Sequence, residues 1–249
     1  MPRTSLRNAV AGLAALVAVG VGAASPQAPN RSTRDTSDDG RAHAEEAVVE
    51  SMSGHHMHDN PHLKLTARRP ERPGDRQRAT AIVAALRPAL ERYRDYQVAV
   101  QNGYVIFMPQ VPQPVYHFTN YLEGFAERFR FQPDHATSLL YRKTRTGYEL
   151  VGAMYTAPPD ASDSDLDARV PLSVTQWHEH INICLPPRGA AAKADWTKFG
   201  PNGSIGTVDT CAAANGRFVT RLFGWMVHVY PFEKTFEQIW SMDPGSPGR

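Results

Sequence analysis

Ser138-Leu139-Leu140-Tyr141-Arg142-Lys143-Thr144-Arg145-Thr146-Gly147-Tyr148-Glu149-Leu150-Val151-Gly152-Ala153-Met154-Tyr155-Thr156-Ala157 decides the fold class. Lys143 to Gly147 has the length of a hairpin connection, so the runs on either side are expected to be antiparallel neighbours. Outward from this pair, the chain after Gly103 keeps a period near two, in runs bounded by Pro, Gly, Asp and Asn. The candidate strands are Tyr104 to Met108, Val115 to Asn120, Ser138 to Arg142, Tyr148 to Ala157, Ser173 to Leu185 and Phe218 to Phe232. Before Gly103 the period is helical: Ile82, Val83, Leu86, Leu90, Tyr93 and Val98 recur every three to five residues. Asp75 is expected to cap this run and Gly103 to end it. Pro88 lacks a backbone donor, which predicts a kink near Ala84 to Arg87 or two helices in succession. The fold class expected is α+β, a kinked N-terminal helix packed on a mostly antiparallel β-sheet or a partly closed barrel.

Residues 1–24 carry Arg3 and Arg7, then an Ala, Val and Gly-rich run that ends in Gly22-Ala23-Ala24. That is the pattern of a secretory signal peptide. The run falls short of the roughly 20 apolar residues a membrane span needs, so no integral membrane segment is expected after cleavage. Residues 25–61 are polar and nearly free of aliphatic periodicity, which predicts a disordered linker containing a His/Met tract. A single domain over 62–242 and a flexible tail over 243–249 follow, and the protein is expected to be periplasmic or extracellular. With 20 Pro, 18 Gly and 41% hydrophobic residues in 249, the composition excludes collagen-like, wholly disordered and disulfide-dense classes. Cleavage takes two of the 27 basic residues and none of the 25 acidic ones. The mature chain is then formally neutral, and no nucleic-acid partner is expected. In an oxidising compartment Cys184 and Cys211 are expected to pair, at a gain of roughly 3 kcal/mol from loop closure; the alternative is Cys184 as a soft metal ligand.

Ala99-Val100-Gln101-Asn102-Gly103-Tyr104, Tyr116-His117-Phe118-Thr119-Asn120, Ser138-Leu139-Leu140-Tyr141 and Leu150-Val151-Gly152-Ala153-Met154-Tyr155, with the later His-bearing strands, resemble an uncharacterised family of secreted bacterial proteins over roughly residues 62–242. The resemblance implies export and a shared fold, and brings no activity, cofactor or catalytic residue with it.

The chemistry must therefore come from the residues. In Gln176-Trp177-His178-Glu179-His180-Ile181-Asn182-Ile183-Cys184, strand alternation places His178, His180 and Asn182 on one face and Glu179 on the other. His228 stands in a second apolar strand and His117 in a third. Two imidazoles on one strand and a third on a neighbour can hold a divalent metal, zinc or copper, with a position left open. Lone strand histidines are more often hydrogen-bonded structural groups. Glu233 is a candidate carboxylate partner. His62 is expected to fold onto the domain and join the strand histidines. His55, His56, Met57 and His58 form a secondary tract whose imidazole and thioether donors suit copper.

There is no Gly-x-Ser-x-Gly elbow, His-Glu-x-x-His motif, or nucleotide or flavin signal. A triad assembled from Ser173, His180 and an aspartate has no positional support. Three functional expectations follow: a secreted metal-binding domain, with metal-assisted hydrolysis or hydration of a small molecule as its chemistry; a non-catalytic copper or zinc carrier; or an envelope binding or structural domain without metal. Residues 187–217 are expected to form a lid over the histidines.

Overall fold

The computed structural model describes residues 60–243. The expected leader, nearly all of the linker with His55, His56, Met57 and His58, and the tail beyond Asp243 lie outside the described residues.

Helix α1, Asp75–Glu91, forms because Ala79, Ile82, Val83, Leu86 and Leu90 fall on one face, and all five are buried. Its start differs from expectation. Gly74, in left-handed geometry, is the cap residue, and Asp75 sits in the first turn. The Asp75 carboxylate accepts from Arg69 Nη1 at 2.6 Å, the Arg72 amide at 2.7 Å and Ser173 Oγ at 2.7 Å. The Arg69 guanidinium holds its pKa well below the usual carboxylate range. The helix continues past Pro88 to Glu91, and a 3₁₀ turn, Arg92–Arg94, leads into α2, Tyr96–Gln101, capped by the Asp95 side chain. Gly103 then closes the helical region at φ 85°.

The strands are β1 (Leu63–Leu65), β2 (Val105–Ile106), β3 (Tyr116–Thr119), β4 (Ser138–Lys143), β5 (Tyr148–Ala157), β6 (His178–Leu185) and β7 (Arg217–Val229). They form one antiparallel sheet in the order β1-β6-β7-β5-β4-β3-β2, with β4 and β5 paired as the hairpin pattern requires. The sheet is open, with β1 and β2 as its edges, and strongly curled. Strands β3 and β7 are separated by β4 and β5, a span of about 14 Å if flat, yet His117 and His228 touch across it at 3.2 Å. The convex face carries Phe118, Leu139, Tyr141, Tyr155, Trp177 and Val227, packed against α1. The concave face carries a smaller cluster of Leu140, Met154, Met226 and Tyr230 beside the histidines.

Several elements differ from the sequence-based expectation. Residues 173–177 precede β6 and are not strand, because Ser173 bonds Asp75 and Thr175 Oγ1 donates to the Trp240 carbonyl at 3.0 Å. Strand β1 adds to β6, with Leu63 opposite His180 and Leu65 opposite His178. The expected acidic loop contains α4, Asp163–Arg169, started by a capping box between Ser162 and Asp165. Asn120 likewise caps α3, Tyr121–Glu127. Within 187–217, α5 (Val208–Ala213) carries Cys211 to Cys184, and the expected disulfide is formed. Helix α6, Phe236–Ile239, ends the regular structure, and no described helix is long and apolar enough to cross a membrane.

Candidate functional site

Side-chain alternation sends every second residue of the central strands into the concavity: His117 on β3, Met154 and Thr156 on β5, His178 and His180 on β6, and Met226 and His228 at the end of β7, with Tyr230 just beyond it. A bulge lies between His178 and His180, so their rings meet edge-on with centroids 5.5 Å apart. His178 is also 5.0 Å from His228, ring to ring, and His117 is 5.2 Å from His228. The fold thus gathers four of the five histidines expected at the site. Asn182, assigned to the same face by simple alternation, leaves it because its φ of 54° breaks the pleat.

His228 has its proton placed by its surroundings. Its Nδ1 is 3.0 Å from the Met242 carbonyl, which can only accept, so Nδ1 carries the hydrogen and Nε2 presents a lone pair. That lone pair faces His117 Nε2 at 3.2 Å. In the metal-free protein His117 donates to it. Tyr230 Oη also donates to the Met242 carbonyl, at 3.3 Å. Gly152 makes room for Tyr230: a Cβ there would stand 2.4 Å from the Val229 carbonyl oxygen and 2.9 Å from the Tyr230 ring.

All four imidazoles are held neutral. Burial, reinforced by neighbouring histidines, pushes His117 and His178 well below the ordinary value, and takes His180 to about 4; burial alone lowers His228. His180 Nδ1 is buried without a hydrogen-bond partner. Neutral imidazoles with a free nitrogen are the form that binds metal ions. Among the described residues, however, no three His, Cys, Asp or Glu side chains have their donors gathered as a bound metal holds them.

The remaining expected residues lie elsewhere. His62 docks onto the domain, but its Nε2 bonds the Gly203 carbonyl at 2.7 Å and its Nδ1 is 3.4 Å from the Ile181 carbonyl. It ties β1 to the long loop. Cys184 is spent in the disulfide. Glu179 points away from the concavity, as alternation requires, and is fully buried beneath Lys64 at 3.3 Å and Arg221 at 3.0 Å. Glu233 does not line the cavity; Met242 and Asp243 occupy that side.

Sequence reasoning missed the methionines. Met108, Met154, Met226 and Met242, all the methionines among the described residues, line the same cavity as the four histidines. The signal was present as parity, since Met226 and His228 alternate on β7 and Tyr230 follows at the same spacing just past its end. The long loop contributes only Pro201 and Asn202 to the lining, and the concavity is otherwise covered by residues 107–115, α3, Pro158-Pro159 and Met242-Asp243.

Comparison with protein-family models, with curated proteins and with solved structures finds no match.

Proposed function

We propose that this protein is an exported metal-binding domain in which His117, His178 and His228 hold one copper or zinc ion, with His180 beside it. The observation that carries the reading is the separation of His117 Nε2 and His228 Nε2, 3.2 Å. Two nitrogens at metal–nitrogen bonds of about 2.0–2.1 Å in a tetrahedral shell stand about 3.3 Å apart. The Met242 carbonyl supports it further: fixing Nδ1–H by a backbone acceptor is the usual outer support of a ligating histidine. His178, whose ring already touches that of His228, completes the set by a change of rotamer.

Met154 lies opposite His228 and Met226 opposite His178 in the strand registers. Thioether sulfur beside imidazole favours copper over zinc. The site opens onto a cavity, so an ion there keeps a position for water or a small molecule, which is what metal-assisted hydrolysis or hydration requires. The carrier reading draws on a different fact. Asn60 lines the cavity, and His55, His56, Met57 and His58 directly precede it in the chain.

The test is metal content after separate loading with copper and zinc followed by dialysis. One equivalent is expected in the parent protein, and less than a tenth of that in the His117→Ala, His228→Ala double variant. No retained metal, or equal retention in the double variant, overturns the proposal. Deleting residues 52–58 separates the two roles: a carrier loses its rate of loading, whereas a catalytic site retains its metal and its loading rate.

A further inference from the structure

The concavity is much larger than a metal ion needs. Its volume is about 540 Å³, within the range of small-molecule sites, and one wall is the methionine and histidine floor of the sheet. Of the lining side chains only Arg128 and Asp243 carry full charges, one of each sign, while Leu63, Val111, Leu222 and the methionines supply apolar surface. A single cation does not match a polyphosphate or a polyanionic sugar. The lining matches an uncharged, largely apolar molecule.

Another part of the lining brings an independent observation. Phe107 and Phe223 meet edge to face at 5.2 Å, and Tyr121 lies 6.5 Å beyond Phe223. Phe223 is 44% exposed, although an aromatic side chain of that size gains by burial. Its φ is 64°, and Met108, next to Phe107, has φ 48°. Left-handed backbone is uncommon for bulky residues and strained, and such strain clusters at ligand clamps. Both strained residues line this cavity. Gly224 allows the arrangement, since a Cβ at that position would stand 2.2 Å from the Ala157 carbonyl oxygen.

We propose that the cavity binds an uncharged apolar small molecule, in contact with the Phe107–Phe223 pair and the Met154–Met226 floor that line it. The aromatic pair supplies ring edges and faces to the body of the ligand. The strained backbone at Met108 and Phe223 holds the two rings in place before the ligand arrives, which lowers the ordering cost of binding. The inference concerns the cavity and does not depend on a bound metal.

The experiment is a fluorescence titration of the metal-free full chain with N-phenyl-1-naphthylamine, a neutral apolar probe. Saturable binding at one site is expected. Leu222→Trp, which fills the cavity from its wall, and Phe223→Gly, which removes the ring and suits the backbone angle, are each expected to weaken binding at least tenfold. Circular dichroism and the melting midpoint identify any variant that has failed to fold, and the other variant then decides. Absence of saturable binding, or binding that survives both substitutions, overturns the proposal. Metal content measured on the same preparation keeps the two proposals apart: probe binding without metal retention defeats the metal site alone, and metal retention without probe binding defeats this one alone.

Discussion

The two faces of the curled sheet are made from alternate residues of the same strands, and they solve opposite problems. On the convex side Leu86 of α1 packs with Phe118, Leu139 and Tyr155; Tyr141 donates to the Tyr93 carbonyl at 2.7 Å and Tyr155 to the Pro133 carbonyl at 2.6 Å, while the indole nitrogens of Trp177 and Trp240 are buried without a partner. On the concave side the same alternation buries His178, half-buries His117, His180 and His228, leaves His180 Nδ1 unpartnered and keeps a cavity of about 540 Å³. Buried polar groups without partners cost stability. The convex face thus supplies the surplus that lets the concave face hold a site, and that division is open to test.

The largest effect is expected from breaking the convex face. Leu86→Ala, at a residue with no exposure, should cost about 2–5 kcal/mol in urea unfolding, from lost transfer energy and the cavity left behind. His178→Ala borders a cavity already present and removes a desolvated ring, so in the metal-free protein it should cost less than about 1 kcal/mol. Equal costs would show that the two faces share one packing task.

Acid sharpens the contrast. The concave histidines have folded-state pKa values below that of the unfolded chain, so their contribution to stability is present above about pH 6.5 and is lost as pH falls through the folded values. For His180, whose folded value is about 4, the loss approaches 3 kcal/mol at about 1.4 kcal/mol per unit. Metal-free protein should lose urea resistance steeply between pH 6.5 and 4, and His180→Leu should flatten that slope. An unchanged slope would place the acid sensitivity outside the site.

Reduction of Cys184–Cys211 probes the boundary between the faces and the loop. Its global cost is roughly 3 kcal/mol by loop-closure entropy, yet hydrogen exchange should rise mainly over 187–216. There α5 loses its covalent tie, while β6 and β7 keep their ladder from Cys184–Phe218 to His178–Met226. Since only Pro201 and Asn202 of this segment line the cavity, probe binding should change less than exchange does. Uniform loss of protection across the strands would make the disulfide a general staple.

What the sequence made legible was whatever depends on local period. The helix over Ile82 to Leu90, the β4–β5 hairpin and the parity of His178, His180 and His228 are all properties of neighbouring residues. What escaped depends on distance along the chain or on single side chains. The curl that brings His117 to His228 has no local signature. His62 was legible as a docking residue but not as a partner of the Gly203 carbonyl, 141 residues away. The short helices α3 and α4 are set by the caps Asn120 and Ser162 more than by apolar periodicity. Asn182 leaves the histidine face through a backbone angle that alternation does not encode.

The smallest expected effect concerns Glu127, the buried carboxylate that fastens α3 to the sheet beside the cavity. Its Oε2 accepts from the Thr156 amide at 2.7 Å and from the hydroxyls of Thr137 and Thr156, both of which line the cavity. Oε1 is buried without a partner. Burial raises the carboxyl to about 7 against the opposing effect of these donors and of Arg169. A folded value above the unfolded one means that between about pH 4.5 and 7 the native state holds a proton that the unfolded chain has released. Stability from the neutral acid is therefore full below pH 4.5 and declines as pH rises through 7. From pH 6 to pH 8 the decline should be about 1 kcal/mol. Glu127→Gln keeps an acceptor for the Thr156 amide and removes the titration, so the variant should gain on the parent by that amount over the same interval. This dependence runs opposite to that of the histidines, which lose stability as pH falls. A profile of the parent minus the variant that is flat from pH 6 to 8 would show the carboxylate to be ionised throughout, and α3 to be held by a charge in the place of a buried acid.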